Sequence, residues 1–255
     1  MVSPEVRVAF RHPFLIARHP SWWRALLSGG SQEVMREIVS EDLSTIRHLP
    51  LITDVSQIAG RSPVTILGRV GSPQEHLYSL IRWLRPDRVV ETGVDRGISS
   101  AFILAALHDN GRGHLHSIDL PTAVYRDPGT GAAVASNVGS GTPPGFVIPQ
   151  ALRPLWSLHL GDSRDVLPAL LERLGAIDFF LHDSEHTDEM MLREYTVSLP
   201  HIRPGGILAS DDVNWNSSFQ QFVRQGPFDF STVLGGRLGV ARVHDPAENT
   251  PSVSE

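Results

Sequence analysis

Residues 89–100, with the sequence VVETGVDRGISS, decide the fold. The run VVET is short and rich in β-branched residues, which is typical of a buried strand. Gly93 and Gly97 frame the turn that follows it, and a helical pattern comes next. A helix that begins after such a turn presents unpaired backbone N–H groups. The turn is therefore either a ligand site or merely a tight connection.

The composition of this turn limits its ligand. A dinucleotide-binding turn has the pattern GxGxxG. This turn is GxxxG and carries Asp95 between its glycines. An acid is a poor neighbour for a pyrophosphate, whereas it suits a cationic or zwitterionic ligand.

Strands and helices alternate on both sides of the turn. Strands are predicted at residues 88–92, 114–119, 156–161, 177–183 and 206–212, with a terminal strand pair at 228–234 and 238–244. Helices are predicted at residues 73–84, 97–108, 163–174 and 186–201. Parallel strands are joined through helices, so the predicted fold class is α/β: a Rossmann-like, doubly wound, mainly parallel seven-stranded sheet.

Three further segments flank or interrupt this domain of residues 71–245. Residues 1–70 form an N-terminal helical arm, residues 121–150 a lid insertion rich in Gly, Pro, Ser and Thr, and residues 246–255 a tail. An unpatterned segment as long as the insertion is either functional or disordered. The arm mixes arginines with aromatic residues, which suits a membrane surface. Its prolines favour instead an arm that packs on the domain or joins two copies in a homo-oligomer.

Composition excludes several classes of protein. The chain has 255 residues, a formal net charge of -6 and no cysteine. Without cysteine there are no disulfides, thiolate metal sites or cysteine nucleophiles. The negative charge argues against a nucleic-acid partner. No apolar run reaches the ~20 residues of a membrane helix and no signal peptide is evident, so we expect a cytoplasmic protein without stable membrane insertion.

Acidic residues follow nearly every predicted strand, at the edge of the sheet where ligands of such folds bind. Asp119 ends the second strand, 22 residues after Gly97. An acid at that distance accepts hydrogen bonds from ribose hydroxyls, or it is only a turn residue. Asp162 ends the third strand, where it caps the next helix, accepts an adenine amino group, or does both.

The succession of VVETGVDRGISS, HSIDLP, LHLGDSRDVLPAL, IDFFLHDSEHTDEM and LPHIRPGGILASDDV resembles the class I S-adenosylmethionine-dependent methyltransferases. Within them it is most similar to a bacterial small-molecule group related to macrolide and aminocoumarin sugar O-methyltransferases and to cephalosporin-tailoring enzymes. The resemblance covers about residues 75–243. It departs from the family at Asp95, which replaces the middle glycine of the turn, and in the long 121–150 segment.

The resemblance implies a cofactor site. Glu91 and Gly93 would hold the methionine end of S-adenosylmethionine, Asp119 the ribose and Asp162 the adenine. The full expected set of cofactor-binding residues is Glu91, Gly93, Gly97, Ser99, Asp119, Asp162 and Ser163.

A second cluster of acids is predicted at the ends of the fourth and fifth strands. Asp183, Asp211 and Asp212 would converge there, because neighbouring strands lie ~4.8 Å apart. Carboxylates so close repel each other unless a cation lies among them, and hard oxygen ligands suit Mg²⁺. In the resembling sugar methyltransferases the matching acids bind such a metal, which would orient a substrate hydroxyl and lower its pKa. Alternatively, the acids only cap the helices that follow.

The expected catalytic residues are Asp183, His186 and Glu185, with His186 or Glu185 taking the proton of the acceptor. The family's Asp-Gly-Asp is DSE in this chain, which leaves the identity of the base open. Trp215 either lines the acceptor pocket or packs, and Asn214 is a further polar candidate.

Three functions stay open. The first is methyl transfer to a hydroxyl of a small molecule, a sugar or natural product, assisted by a divalent metal. The second is a metal-independent methyltransferase with His186 as base. The third is a non-catalytic nucleotide-binding module. Residues 182–186 also spell the zinc-hydrolase pattern HxxEH, but this pattern requires a helix, whereas His182 ends a predicted strand. The absence of GxSxG disfavours an α/β-hydrolase.

Overall fold

The computed structural model describes residues 73–121, 124–126, 133–135 and 143–249. The predicted arm at residues 1–70 lies outside the described residues, as do most of the insertion and the end of the tail. The divisions predicted for these segments, and the homo-oligomer expected from the arm, therefore stay predictions.

Helices and strands alternate as expected. The α-helices are α1 (Pro73–Leu84), α2 (Ile98–Asn110), α3 (Ser163–Leu174), α4 (Asp188–Ser198) and α5 (Ser218–Gln225). The strands are β1 (Arg88–Thr92), β2 (His114–Asp119), β3 (Val124–Arg126), β4 (Ala133–Ala135), β5 (Trp156–Leu160), β6 (Ile177–His182), β7 (Ile202–Ser210), β8 (Phe228–Leu234) and β9 (Leu238–Val243). Short 3₁₀ turns occupy Arg153–Leu155, Leu199–His201 and Pro246–Asn249.

Seven of these strands form one sheet in the order β5-β2-β1-β6-β7-β9-β8. The pairs from β5 to β7 are parallel, whereas β9 runs antiparallel to both β7 and β8. The chain builds the sheet outward from β1 in one direction and from β6 in the other. The strand order therefore reverses between β1 and β6, which is where an open α/β sheet forms its ligand crevice. The predicted mainly parallel, seven-stranded α/β fold is confirmed.

Helices cover both faces of the sheet. On one face α1 and α2 pack over a core that includes Val89, Phe179 and Leu181. On the other face α3, α4 and α5 pack over a core that includes Val90 and Phe180. Consecutive strand residues thus enter opposite cores, which is why these strands are apolar without alternation.

Some predicted boundaries were wrong for local reasons. The helix predicted from residue 186 begins at Asp188, because the Thr187 side chain accepts the Met190 N–H and caps it. The strand predicted from residue 206 already begins at Ile202. The insertion is not wholly irregular, because β3 and β4 pair as an antiparallel hairpin within it.

Within the described residues, no helix combines the length and the apolar character needed to cross a membrane.

Candidate active site

A cavity of about 590 Å³ opens at the carboxyl ends of the parallel strands. This size suits a small-molecule ligand. Ten of the predicted site residues line it: Gly93, Ser99, Asp119, Asp162, Ser163, Asp183, Glu185, His186, Asp211 and Asp212. Glu91 and Gly97 do not line it. The structure therefore brings the two predicted clusters together in one cavity.

The glycine at position 93 is required by the protein's own backbone. Gly93 has a φ of +83°, and a Cβ placed there would lie 2.0 Å from the carbonyl oxygen of Asp183. Its N–H donates to the carbonyl of Ile118 at 2.9 Å. Gly93 thus lets the ends of β1 and β6 approach each other at the point where the strand order reverses.

Gly97 also serves a packing role. It has a φ of +93°, and an added Cβ would lie 2.7 Å from the Cα of Gly145 and 2.9 Å from the side chain of Ile148. The last residues of the predicted lid insertion pack on the turn here, and the Gly145 N–H donates to the Asp95 carbonyl at 2.9 Å. The sequence leaves open whether Gly97 admits a ligand or only forms a tight connection, and among the described residues its near neighbours are Gly145 and Ile148.

Asp119 connects the end of β2 to the glycine turn. Its Oδ2 accepts the N–H groups of Val94 at 3.1 Å and Asp95 at 2.8 Å. Its Oδ1 accepts the N–H of Leu120 at 2.7 Å. Burial raises the pKa of Asp119 despite these bonds. Asp119 therefore fixes the shape of the turn and still lines the cavity.

Asp95 adopts a left-handed backbone conformation, with a φ of +46°. This explains how the chain dispenses with the family's middle glycine, because aspartate tolerates positive φ better than most residues.

Glu91 lies beneath the cavity and is fully buried. Its Oε2 accepts hydroxyl hydrogens from Ser100 and Ser117, each at 2.7 Å. Its Oε1 is buried without a hydrogen-bond partner. Desolvation raises the pKa of Glu91 to about 7. Glu91 does not line the cavity, so its contact with the methionine end of a cofactor, which the resemblance implies, stays a prediction.

Asp162 caps α3, which is one of the two roles that the sequence predicts for it. Its Oδ1 accepts the Arg164 N–H at 2.8 Å. The Arg164 guanidinium bonds the same carboxylate, and this bond lowers the pKa of Asp162. The carboxylate also lines the cavity, so the cap and a ligand contact are compatible.

An arginine lies within the second acid cluster. Arg237 donates from Nε to Asp211 Oδ1 at 2.8 Å and from Nη2 to Asp211 Oδ2 at 2.5 Å. Its Nε also lies 3.0 Å from Asp212 Oδ1. The third acid, Asp183, has its pKa raised by burial and by Asp211 and Glu91, while the charge of Arg237 acts in the opposite direction.

The capping alternative for these acids does not hold. Thr187 caps α4, and α5 begins at Ser218, whose N–H donates to Asn216 Oδ1. Asp211 and Asp212 instead bond Arg237, and Asp183 accepts a hydroxyl hydrogen from Ser99 at 3.3 Å.

His186 is held as a proton acceptor. Its Nδ1 lies 2.6 Å from the Ser184 carbonyl, which can only accept, so Nδ1 carries the hydrogen. Its Nε2 is buried without a hydrogen bond, 3.5 Å from Asp212 Oδ2 and 4.0 Å from Asp183 Oδ1. Burial, reinforced by His182, lowers the pKa of His186 to about 4. The imidazole is therefore neutral at neutral pH, with the Nε2 lone pair unprotonated, and a pKa this low makes it a weak base in this arrangement.

Trp215 borders the same end of the cavity. It is 56% exposed, and its ring centroid lies 5.2 Å from that of His186. Glu185 also lines the cavity, whereas the exposed Asn214 does not. The exposed indole beside His186 fits the predicted pocket role better than the packing role.

Sequence reasoning missed Glu194, a fully buried residue of α4. It accepts hydroxyl hydrogens from Thr92 at 2.5 Å, Ser163 at 2.6 Å and Ser184 at 2.9 Å. The His182 Nδ1 donates to it at 2.6 Å. Burial would raise the pKa of Glu194, but His182 and the hydroxyl donors reverse that effect and lower it. Glu194 thus joins turns from three strand ends that surround the cavity.

A signal for Glu194 was present in the sequence. The buried face of α4 consists of Met190, Met191, Glu194, Tyr195 and Ser198. A glutamate at helical spacing within an apolar face marks a buried carboxylate, which requires partners.

Arg237 was also missed. It follows the turn at Gly235 and Gly236 that the sequence predicts between the last two strands. Its place beside the end of β7 depends on the antiparallel pairing of β9 with β7, in which Ser210 lies opposite Gly239.

The HxxEH pattern does not form a zinc-hydrolase site. His182 ends β6 and His186 lies in the turn before α4, so the two histidines do not share a helix face. Among the residues that the structure describes, no three acidic or histidine side chains are arranged to hold a metal ion.

Known proteins resemble this chain in sequence and in fold. A family model described as a methyltransferase domain matches residues 90–213. The caffeoyl-CoA O-methyltransferase of Stellaria longipes is 23% identical over 156 residues, which cover 61% of this chain. The match spans only 58% of the length of that relative.

Solved structures share the fold. The O-methyltransferase TomG from Streptomyces achromogenes, in complex with SAM, has a TM-score of 0.53 and 18% identity and covers 80% of this chain and 96% of TomG. The methyltransferase MycE, in complex with Mg, SAH and mycinamycin VI, has a TM-score of 0.51 and 15% identity and covers 80% of this chain and 58% of MycE.

Residues 90–213 thus match a methyltransferase domain, and the fold is that of solved methyltransferases. Enzymes of this class use S-adenosylmethionine, and the domain's cavity lies at the strand ends where the sequence predicted the cofactor. The match begins within β1 and ends at Val213, directly after the acid pair.

Proposed function

We propose that this chain transfers the methyl group of S-adenosylmethionine to a hydroxyl of a small molecule, with His186 as the general base. The observation that carries the proposal is the single cavity that contains both the glycine turn with Asp119 and the buried, unpartnered Nε2 of His186. The similarity to a caffeoyl-CoA O-methyltransferase and to the O-methyltransferase TomG supports an oxygen acceptor.

The glycine-turn end of the cavity suits the cofactor. Asp119 and Asp162 offer carboxylates there for ribose hydroxyls and an adenine amino group, and Ser99 and Gly93, which also line the cavity, would lie beside the methionine end. When bound, S-adenosylmethionine supplies an electrophilic methyl group on a sulfonium, and S-adenosylhomocysteine leaves after the transfer.

The His186 end suits the acceptor. The Ser184 carbonyl fixes the ring so that Nε2 faces Asp183 and Asp212. An acceptor hydroxyl near Nε2 would give up its proton to the ring as its oxygen forms the new bond to the methyl carbon. Trp215 offers an exposed aromatic face against which a sugar or aromatic ring can stack.

No step of the proposed reaction uses Mg²⁺, although the resemblance implied it and MycE was solved with Mg. The donor set of three carboxylates has the chemistry that Mg²⁺ prefers. However, Asp211 and Asp212 already bond the guanidinium of Arg237, so as arranged they do not fit a divalent ion. Among the functions left open by the sequence, the metal-independent methyltransferase therefore has the best support.

Calorimetry tests the class of ligand. We expect S-adenosylmethionine and S-adenosylhomocysteine to bind with one-to-one stoichiometry and NAD to show no binding. Asp119→Ala should weaken both interactions, because it removes a cavity carboxylate and the support of the glycine turn. Binding of NAD without binding of S-adenosylhomocysteine would favour the nucleotide-binding module and overturn the proposal.

A further inference from the structure

Arg237 is attached to the loop after β7 by both its main chain and its side chain. Its carbonyl accepts the Val213 N–H at 3.0 Å. Its guanidinium bonds both oxygens of Asp211, the paired geometry that gives arginine–carboxylate contacts their strength and direction. Asp211 is almost fully buried, whereas the Arg237 side chain is 44% exposed toward the cavity.

The same guanidinium also bonds the second acid. Its Nε lies 3.0 Å from Asp212 Oδ1, while Asp212 Oδ2 faces His186. Asp212 holds this position with a φ of +49°, a conformation that non-glycine residues adopt at a cost. One cation therefore satisfies two of the three acids of the cluster.

We infer that Arg237 is the resident cation of the acid cluster: it takes the place that a divalent metal would need, keeps Asp211 and Asp212 in position beside His186, and leaves the acceptor end of the cavity without a metal. This inference deepens the proposed function and rests on it in one respect, namely that the cavity is the site of methyl transfer. Arg237 acts through the acids, so it is a positioning residue.

A guanidinium and a divalent ion cannot both occupy the cluster at contact distance, because their repulsion in a partly buried site is large. Removal of the guanidinium would leave Asp183, Asp211 and Asp212 without a cation, and these are the hard oxygen ligands that Mg²⁺ and Mn²⁺ bind. Among the described residues the three acids are not arranged to hold a metal ion, so a metal site would form here only if Arg237 were removed and the acids moved together.

Mn²⁺ binding, measured by electron paramagnetic resonance, tests the inference without reference to activity. We expect the wild-type protein to leave Mn²⁺ free at the concentrations used. Arg237→Ala should bind one Mn²⁺ ion with an affinity about 100-fold higher than that of the wild type. Asp211→Asn in the Arg237→Ala background should abolish that binding. Arg203→Ala is the matched control, because Arg203 is similarly exposed and bonds Asp178 at 2.5 Å outside the cavity; it should leave Mn²⁺ free.

Two results would overturn the inference: Mn²⁺ binding by the wild type that Asp211→Asn removes, or no Mn²⁺ binding by Arg237→Ala. Circular dichroism verifies that Arg237→Ala is folded. If it is not folded, Arg237→Gln replaces it in the Mn²⁺ experiment, because glutamine keeps much of the side-chain volume without the charge. Methyl transfer by the wild type should also persist in EDTA. Failure to bind S-adenosylhomocysteine would sink the proposed function but leave the Mn²⁺ result interpretable.

Discussion

Glu194 and His182 form a buried pair, in which the imidazole Nδ1 lies 2.6 Å from the carboxylate at the centre of the domain. The pair lies directly behind the cavity, because the His182 ring centroid is 5.4 Å from that of His186. The hydroxyl of Ser184, the residue whose carbonyl orients His186, donates to the same carboxylate. The shape of the proposed catalytic end therefore depends on a residue of α4 that does not line the cavity.

The first prediction concerns this pair. Glu194→Ala should lower the free energy of unfolding by about 3–5 kcal/mol, because it leaves a buried histidine and three hydroxyls without their acceptor. Glu194→Gln should cost less, since its amide oxygen still accepts hydrogen bonds. Urea unfolding measures both. The exposed Glu172→Ala on α3 is the control and should change stability by no more than about 0.5 kcal/mol. A Glu194→Ala protein as stable as this control would show that the network contributes little.

The second prediction is a pH dependence of stability that arises from Glu91. Its pKa in the folded protein is about 7, raised from 4.5 by burial. A group with a raised pKa stabilises the fold fully below its unfolded pKa and loses that contribution as the pH rises through its folded pKa. Glu91→Gln should therefore be more stable than the wild type at pH 8, by on the order of 3 kcal/mol, with the gap closing toward pH 4.5. Parallel stability curves for the two proteins would contradict this prediction.

The third prediction separates two effects of glycine substitution. Gly93 and Gly111 both have positive φ, but an added Cβ meets the Asp183 backbone at the first position and no atom within 4 Å at the second. Gly111→Ala should cost about 1–2 kcal/mol, from backbone strain alone. Gly93→Ala should cost several kcal/mol more and should also weaken S-adenosylhomocysteine binding, as followed by urea unfolding and calorimetry. Equal losses in the two variants would argue against close contact between the ends of β1 and β6.

The fourth prediction concerns the base. His186→Gln should lower kcat by about 10²–10⁴-fold, because it removes the proton acceptor, and should leave the affinity for S-adenosylhomocysteine unchanged. His201→Gln, at a partly exposed position beyond α4 whose ring bonds the Gly175 carbonyl, is the control and should retain full activity. If His186→Gln turns over at the wild-type rate, the base lies elsewhere in the cavity, and Glu185 is the next candidate.

Much of the fold could be predicted from the sequence because its signals are local. The strand–turn–helix of residues 89–100 and the strand-end acids each depend on a few neighbouring residues. The helix start at Asp188 was missed because Thr187 competes with earlier residues as a cap, and a single hydrogen bond decides between them.

The site was less predictable because its decisive contacts are long-range. Arg237 reaches Asp211 across 26 positions of the chain, and Thr92 reaches Glu194 across 102. The acid cluster was therefore predicted with a metal as its cation, since the arginine that serves this role follows a different strand. Likewise, the sequence left open whether the glycines of the turn admit a ligand or only form a tight connection, because the residues that require them, Asp183 and Gly145, are distant in the sequence.

A crystal structure with S-adenosylhomocysteine tests the central claim most directly. We predict the ligand in the cavity at the ends of β1 and β6, with its ribose beside Asp119, its sulfur toward His186 and the Arg237–Asp211 bond intact. S-adenosylhomocysteine bound outside this cavity, or with its sulfur directed away from His186, would contradict the account.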